Sequence, residues 1–140
     1  MPASYAHLAV HIVFSAHNHK TWLKPEIRDA MHAYLAGIIN RTGGKAIKIG
    51  GTQDHVHILC LLPKNLSPGE FMAKLKANSS KWIREKHFPD FHWQDGYGLF
   101  SVSKSDLNRV KDYIENQLEH HYNLSAWEEF DRLLARHQVE

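Results

Sequence analysis

The 140-residue sequence contains one cysteine, Cys60, so no internal disulfide can form. A lone thiol inside an apolar stretch points to a small core residue rather than a redox centre. No apolar run approaches the ~20 residues that cross a bilayer. Met1-Pro2-Ala3-Ser4-Tyr5 has neither the basic nor the apolar region of a secretion signal. The expectation is a cytoplasmic protein with no membrane association. No internal repeat and no linker divides the chain, which predicts one domain over residues 1–140. Excess charge is lacking too: the formal net charge is +2 with neutral histidines, too little to announce a nucleic-acid binder by itself.

Histidine is what the chain has in surplus, with 12 residues. The surplus suits metal or phosphate chemistry, and compositional bias explains it nearly as well. A hydrophobic fraction of 43% with 23% charged residues is that of an ordinary globular chain with a real core.

From Tyr5 to Phe14 every second residue is apolar, while Tyr5, His7 and His11 fall on the other side, which predicts a strand with one buried and one functional face. Residues 15–24 read as a loop. Pro25-Glu26 opens a helix with Ile27, Ala30, Met31, Tyr34, Leu35, Ile38 and Ile39 at three-and-four spacing, ended by Arg41-Thr42-Gly43-Gly44. Lys45–Ile49 and the run from Val56 to Leu62 read as an antiparallel hairpin. Ser67-Pro68-Gly69-Glu70 has the form of a capping box and starts a helix to about Lys86, with Phe71, Met72, Leu75, Trp82 and Ile83 inward and Lys74, Lys76, Lys81, Arg84 and Lys86 on its other face. Such a basic face is ordinary solvated surface unless phosphate is handled nearby. Residues 87–98 form an aromatic, ordered loop, Leu99–Ser103 a last strand, and Ser103-Lys104-Ser105-Asp106 a cap for a helix with Leu107, Val110, Ile114 and Leu118 inward. A final helix follows Ser125-Ala126-Trp127-Glu128, with Trp127, Phe130, Leu133 and Leu134 on one side. The class is α+β.

Two constellations carry chemistry. Strand alternation turns His55 and His57 to one face while Val56, Ile58, Cys60 and Leu62 turn to the other. Two imidazoles held side by side are either the start of a divalent-metal site or two partly exposed histidines at a strand end. On the later helix Tyr113 and Gln117 are four apart and share a face. A tyrosine oxygen attacks phosphorus once its proton is lost or a metal polarises the phosphate, and a glutamine carbonyl can complete a metal site without cancelling its charge. The bland alternative is an exposed tyrosine with a polar neighbour.

The order strand-helix-strand-strand-helix-strand-helix, with Gln53-Asp54-His55-Val56-His57, Leu66-Ser67-Pro68, Lys76-Ala77-Asn78-Ser79-Ser80 and Tyr113-Ile114-Glu115-Asn116-Gln117, resembles the single-tyrosine HUH transposases of single-stranded insertion sequences and their REP-associated relatives. The resemblance spans roughly Tyr5 to His121. It implies a ferredoxin-like antiparallel sheet with helices packed on one face and a late helix carrying the catalytic tyrosine. It implies that His55, His57 and Gln117 hold Mg2+ or Mn2+, and that Tyr113 attacks single-stranded DNA to give a 5′-phosphotyrosine. The partners implied are single-stranded DNA, with hairpins at element ends, and a second copy of the chain in a homodimer. The segment Ser125–Glu140 matches no motif of the family.

In a ferredoxin-like sheet the first and third strands are neighbours, so His11 should lie beside His55 and His57 and assist as a phosphate or supporting contact. Lys74, Lys81 and Arg84 are further candidates for DNA contact. Two rivals share these residues: a non-catalytic or domesticated binder of structured single-stranded nucleic acid, and a zinc-dependent hydrolase in which water attacks.

Overall fold

A computed structural model of the protein describes residues 4–116 and 126–137. Its strands are β1 (Ala9–Ser15), β2 (Lys45–Gly51), β3 (His55–Leu61) and β4 (Gly98–Ser101), and its helices are α1 (Pro25–Arg41), α2 (Pro68–Lys86), α3 (Leu107–Glu115) and α4 (Ala126–Arg136). The strands form one antiparallel sheet in the order β2-β3-β1-β4. With α1 between β1 and β2 and α2 between β3 and β4, this is the ferredoxin-like arrangement expected.

Alternation along the central strands divides the core. Val10, Ile12 and Phe14 of β1 and Val56, Ile58 and Cys60 of β3 face one way and pack with Met31, Leu35 and Ile39 of α1 and Phe71, Met72, Leu75 and Ile83 of α2. The capping box at the start of α2 is closed in both directions: the Glu70 amide donates to Ser67 Oγ at 3.1 Å, and the Ser67 amide donates to Glu70 Oε1 at 3.2 Å. The loop after α2 is ordered by buried Phe91 and Trp93. Trp93 Nε1 donates to Ser79 Oγ at 2.9 Å, and Lys76 Nζ donates to the carbonyls of Gln94 and Gly96 at 2.6 and 2.8 Å.

Several boundaries differ from the sequence reading, and one of them bears on the site: the second strand runs to Gly51 rather than Ile49, with Gly50 and Gly51 paired to His57 and Val56. The first strand begins at Ala9 rather than Tyr5, and Tyr5 and Leu8 are 92% and 50% exposed. The neighbouring ladder to β3 starts at Ala9↔Leu61, so the apolar alternation before it has no sheet to bury against. β4 is Gly98–Ser101, because its ladder to β1 stops at Val10↔Ser101. Ser103 does not cap a helix directly: its hydroxyl pairs with Ser105 Oγ at 3.1 Å, and a single 3-10 turn over Lys104–Asp106 precedes α3.

The other face of the sheet is covered by α3, lying across β2 and β3, and by α4, whose Phe130, Leu133 and Leu134 pack on Val13 and Phe100. Burying a leucine side chain contributes roughly 1.5–3 kcal/mol, enough for Leu133 to anchor one turn of α4. Among the described residues no helix is long and apolar enough to cross a membrane.

Candidate active site

The register places Gly50, His57, Val13 and Gly98 in one row across the four strands. The glycines at both ends of that row make room for helices. A Cβ on Gly50 would lie 2.8 Å from Ile114 Cγ2 and closer still to the Ile114 carbonyl oxygen, so α3 can settle there only because Gly50 has no side chain. A Cβ on Gly98 would lie 2.8 Å from a ring carbon of Phe130, which imposes the same requirement on α4. Ile114 brings Tyr113 with it, and Phe130 brings Glu129.

The result is a closed cluster above β3. His55 and His57 are 2% and 0% exposed, and Glu129 is 2% exposed. His55 Nε2 lies 3.2 Å from Glu129 Oε2, and His57 Nε2 lies 3.1 Å from Glu129 Oε1. The Tyr113 hydroxyl donates a short hydrogen bond to the same carboxylate. Behind the histidines stands a supporting layer. His55 Nδ1 is 2.8 Å from Asp54 Oδ1 and 2.9 Å from Thr52 Oγ1, and His57 Nδ1 is 2.8 Å from His11 Nε2. Each histidine therefore has its Nδ1 engaged and its Nε2 turned to the carboxylate, which orients both rings.

Electrostatics follow from this packing. Burial disfavours a charged His55, yet its hydrogen bonds to Asp54 and Glu129 outweigh burial and raise its pKa to about 9. Burial likewise opposes ionisation of Glu129, but hydrogen bonds from His55 and His57, with a smaller one from Tyr113, hold the carboxyl well below the usual range. His11 has its pKa lowered to about 3 by burial first and by His57 second, and so stays neutral.

The structure thus brings together His55, His57, Tyr113 and His11 within one chain. Tyr113 meets His57 edge to face at 5.8 Å between ring centroids. Gln117 lies outside the described residues. Lys74, Lys81 and Arg84 are on α2, across the sheet from the histidines, and Arg84 Nη1 donates to the Phe91 carbonyl at 3.3 Å. Sequence reasoning missed Glu129. One donor atom from each of His55, His57 and Glu129 lies within 4.8 Å of the others, and two imidazoles with a carboxylate are a donor set suited to a divalent ion.

The family model described as "Transposase IS200 like" matches residues 4–117. The chain belongs to the IS200-like transposase family. It is 29% identical over 117 residues to the transposase of insertion sequence element IS200 from Salmonella typhimurium, a match covering 78% of this chain and 76% of that protein. It is 24% identical over 117 residues to the ISDra2 transposase TnpA of Deinococcus radiodurans, over 79% of this chain and 84% of the relative. Its fold is similar to that of a crystallised protein from D. radiodurans R1 named as a transposase, at 21% identity and TM-score 0.65, over 84% of this chain and 96% of the other. It is also similar in fold to a REP-associated tyrosine transposase bound to a REP hairpin, at 14% identity and TM-score 0.60, over 83% and 70%. In a transposase of this family the His55, His57 and Glu129 cluster suggests a divalent-metal site. The family match stops at residue 117, so α4 and Glu129 lie beyond it.

Proposed function

We propose that this IS200-like transposase cleaves and rejoins single-stranded DNA by attack of Tyr113 on a phosphodiester. The observation that supports this reading most is the convergence of a tyrosine hydroxyl and two strand-fixed histidines on one buried carboxylate. His55, His57 and Glu129 would hold Mg2+ or Mn2+, with Gln117 a further ligand from the segment next to α3. A divalent ion there supplies Lewis-acid polarisation of the scissile phosphate.

The chain's own residues do the rest. Tyr113 Oη forms the bond to phosphorus while the bond to the 3′-oxygen breaks, leaving a 5′-phosphotyrosine and a free 3′-hydroxyl once that oxygen takes up a proton. The phenolic proton is lost to solvent. Glu129 accepts the hydrogen bond of the Tyr113 hydroxyl and so aims it. Attack by another strand's 3′-hydroxyl reverses the step and rejoins DNA without ATP. His11 keeps the His57 ring in place through its 2.8 Å hydrogen bond. The DNA partner proposed is a single strand with hairpins at the element ends. A homodimer is the proposed assembly, although Tyr113 already reaches His57 within one protomer, so pairing is not needed to join nucleophile and histidines.

The test is a denaturing gel of labelled single-stranded DNA from the flanks of the gene, incubated with Mn2+ or Mg2+ and either the wild-type chain or Tyr113→Phe. A metal-dependent protein–DNA adduct absent from the variant is expected. Cleavage without an adduct would establish a hydrolase with water as nucleophile, and binding without cleavage on the correct ends would establish a non-catalytic binder.

A further inference from the structure

On the side of the cluster facing α3 and α4 a cavity of about 480 Å3 opens, with Tyr113, His11 and Glu129 on its floor. Its wall carries three arginines, Arg109 from α3 and Arg132 and Arg136 from α4. Helical spacing explains the arrangement: Arg109 stands one turn before Tyr113 on the same face of α3, and Arg132 and Arg136 stand one turn apart on α4. Arg109 Nη2 pairs with Asp106 Oδ1 at 3.0 Å. Arg132 and Arg136 form no ion pair among the described residues, although both are close to an acidic floor already committed to the histidines and tyrosine. Two guanidinium groups one helical turn apart beside a nucleophile aimed at phosphorus are a phosphate-recognition geometry, because the planar fork bonds two phosphate oxygens at once. The volume lies in the range that small-molecule sites occupy, about 300–1,000 Å3, and accommodates a nucleotide but not a duplex.

We infer that this cavity is the channel by which a single DNA strand reaches Tyr113, with Arg132 and Arg136 gripping the phosphates that flank the scissile one. The inference rests on the function proposed above and deepens it. Both arginines lie beyond the family-matched residues 4–117, so the grip belongs to this chain's own C-terminal helix. The basic face of α2 lies across the sheet from Tyr113 and cannot serve the same stretch of strand.

The experiment measures binding of a fluorescent single-stranded oligonucleotide, taken from the gene's flank, by fluorescence anisotropy across a salt series with chelator present. The protein is the full chain carrying Tyr113→Phe, so that no adduct forms. Adding Arg132→Gln with Arg136→Gln is expected to weaken binding about tenfold or more and to reduce the slope of log affinity against log salt by about 1.4, at ~0.7 per single-strand phosphate contact. Arg132→Lys with Arg136→Lys keeps both charges and is expected to retain the slope while losing affinity, and it serves if the glutamine pair does not fold by thermal unfolding. An unchanged slope in a folded glutamine pair overturns the inference. So does an equal slope loss on Lys74→Gln with Lys81→Gln, which would put the strand across α2. Adduct formation by the wild-type chain on the same oligonucleotide separates the readings: an adduct with an unchanged slope refutes the channel alone, whereas a wild-type chain that neither binds nor reacts with single strands refutes both.

Discussion

Gly50→Ala isolates what places Tyr113, the proposed nucleophile. Gly50 is paired with His57 in the β2–β3 ladder, and its backbone is not left-handed, so alanine brings no backbone strain. The new methyl would point at α3, with Ile114 Cγ2 at 2.8 Å against an ordinary contact of at least 3.4 Å. The helix must therefore retreat by about 0.6 Å or more at Ile114, and Tyr113, its immediate neighbour, goes with it. Displacements near 1 Å cost up to ~100-fold in rate when reacting groups are aligned by packing, and overpacking costs about 1–3 kcal/mol of stability. The expected result is a fall of roughly tenfold to 100-fold in single-turnover adduct formation, with Mn2+ affinity by titration calorimetry little changed, because His55 and His57 stay on β3. A folded Gly50→Ala protein that forms adduct at the wild-type rate would refute the idea that this glycine sets the tyrosine's position. Parallel loss of Mn2+ binding and adduct would also refute it, since the damage would then have reached the strand.

Other outcomes follow from the same geometry. His11→Ala removes the 2.8 Å partner of His57 Nδ1 and is expected to weaken Mn2+ binding about 10–100-fold, read by calorimetry; an unchanged affinity would leave His11 no supporting role. Glu129→Ala should weaken Mn2+ at least about tenfold and change adduct yield with it, whereas wild-type Mn2+ affinity would remove Glu129 from the ligand set. In chelator, thermal stability should peak near the free imidazole pKa of about 6.5. Burial first, aided by His57 and Arg28 respectively, holds His11 at about 3 and His32 at about 4, so the unfolded chain takes up those protons first and stability falls as pH drops below the peak. His55, raised to about 9 against burial by Asp54 and Glu129, holds its proton only in the folded state above the peak, so stability falls again as pH rises to 9. A melting temperature that climbs steadily from pH 7 to 9 would contradict that assignment. Burial pushes the Cys60 thiol up to about 12, so a thiol reagent should titrate it only after denaturation.

The fold was legible because its signals are local and repetitive. Alternation in β1 and β3, three-and-four spacing in α1 and α2, and the Ser67–Glu70 capping box each state their own element, and the order of elements then restricts the sheet to few topologies. Boundaries at Tyr5–Leu8 and Ser103 were misread for a common reason. Alternation and capping residues describe what a segment can do, while a strand ends where its neighbour ends. His55, His57 and His11 were legible for the same periodic reason, since a two-residue repeat on neighbouring strands fixes a shared face.

Glu129 was not legible, and the cause is instructive about which signals a sequence carries. An acidic residue in the first turn of a helix already has a complete explanation in the helix dipole, and Glu128-Glu129 after Ser125 satisfies it. The one discordant sign is its phase: Glu129 is four residues before Leu133, on the stripe that buries itself against Val13 and Phe100. A carboxylate on a buried stripe must find cations or donors, because an ionised group left unpaired away from water is far too costly to keep. Among the described residues, the groups that meet it on that face of the sheet are His55, His57 and Tyr113. Phase on an amphipathic helix, combined with the unanswered demand of two strand histidines for a third partner, would have singled it out; residue type alone could not.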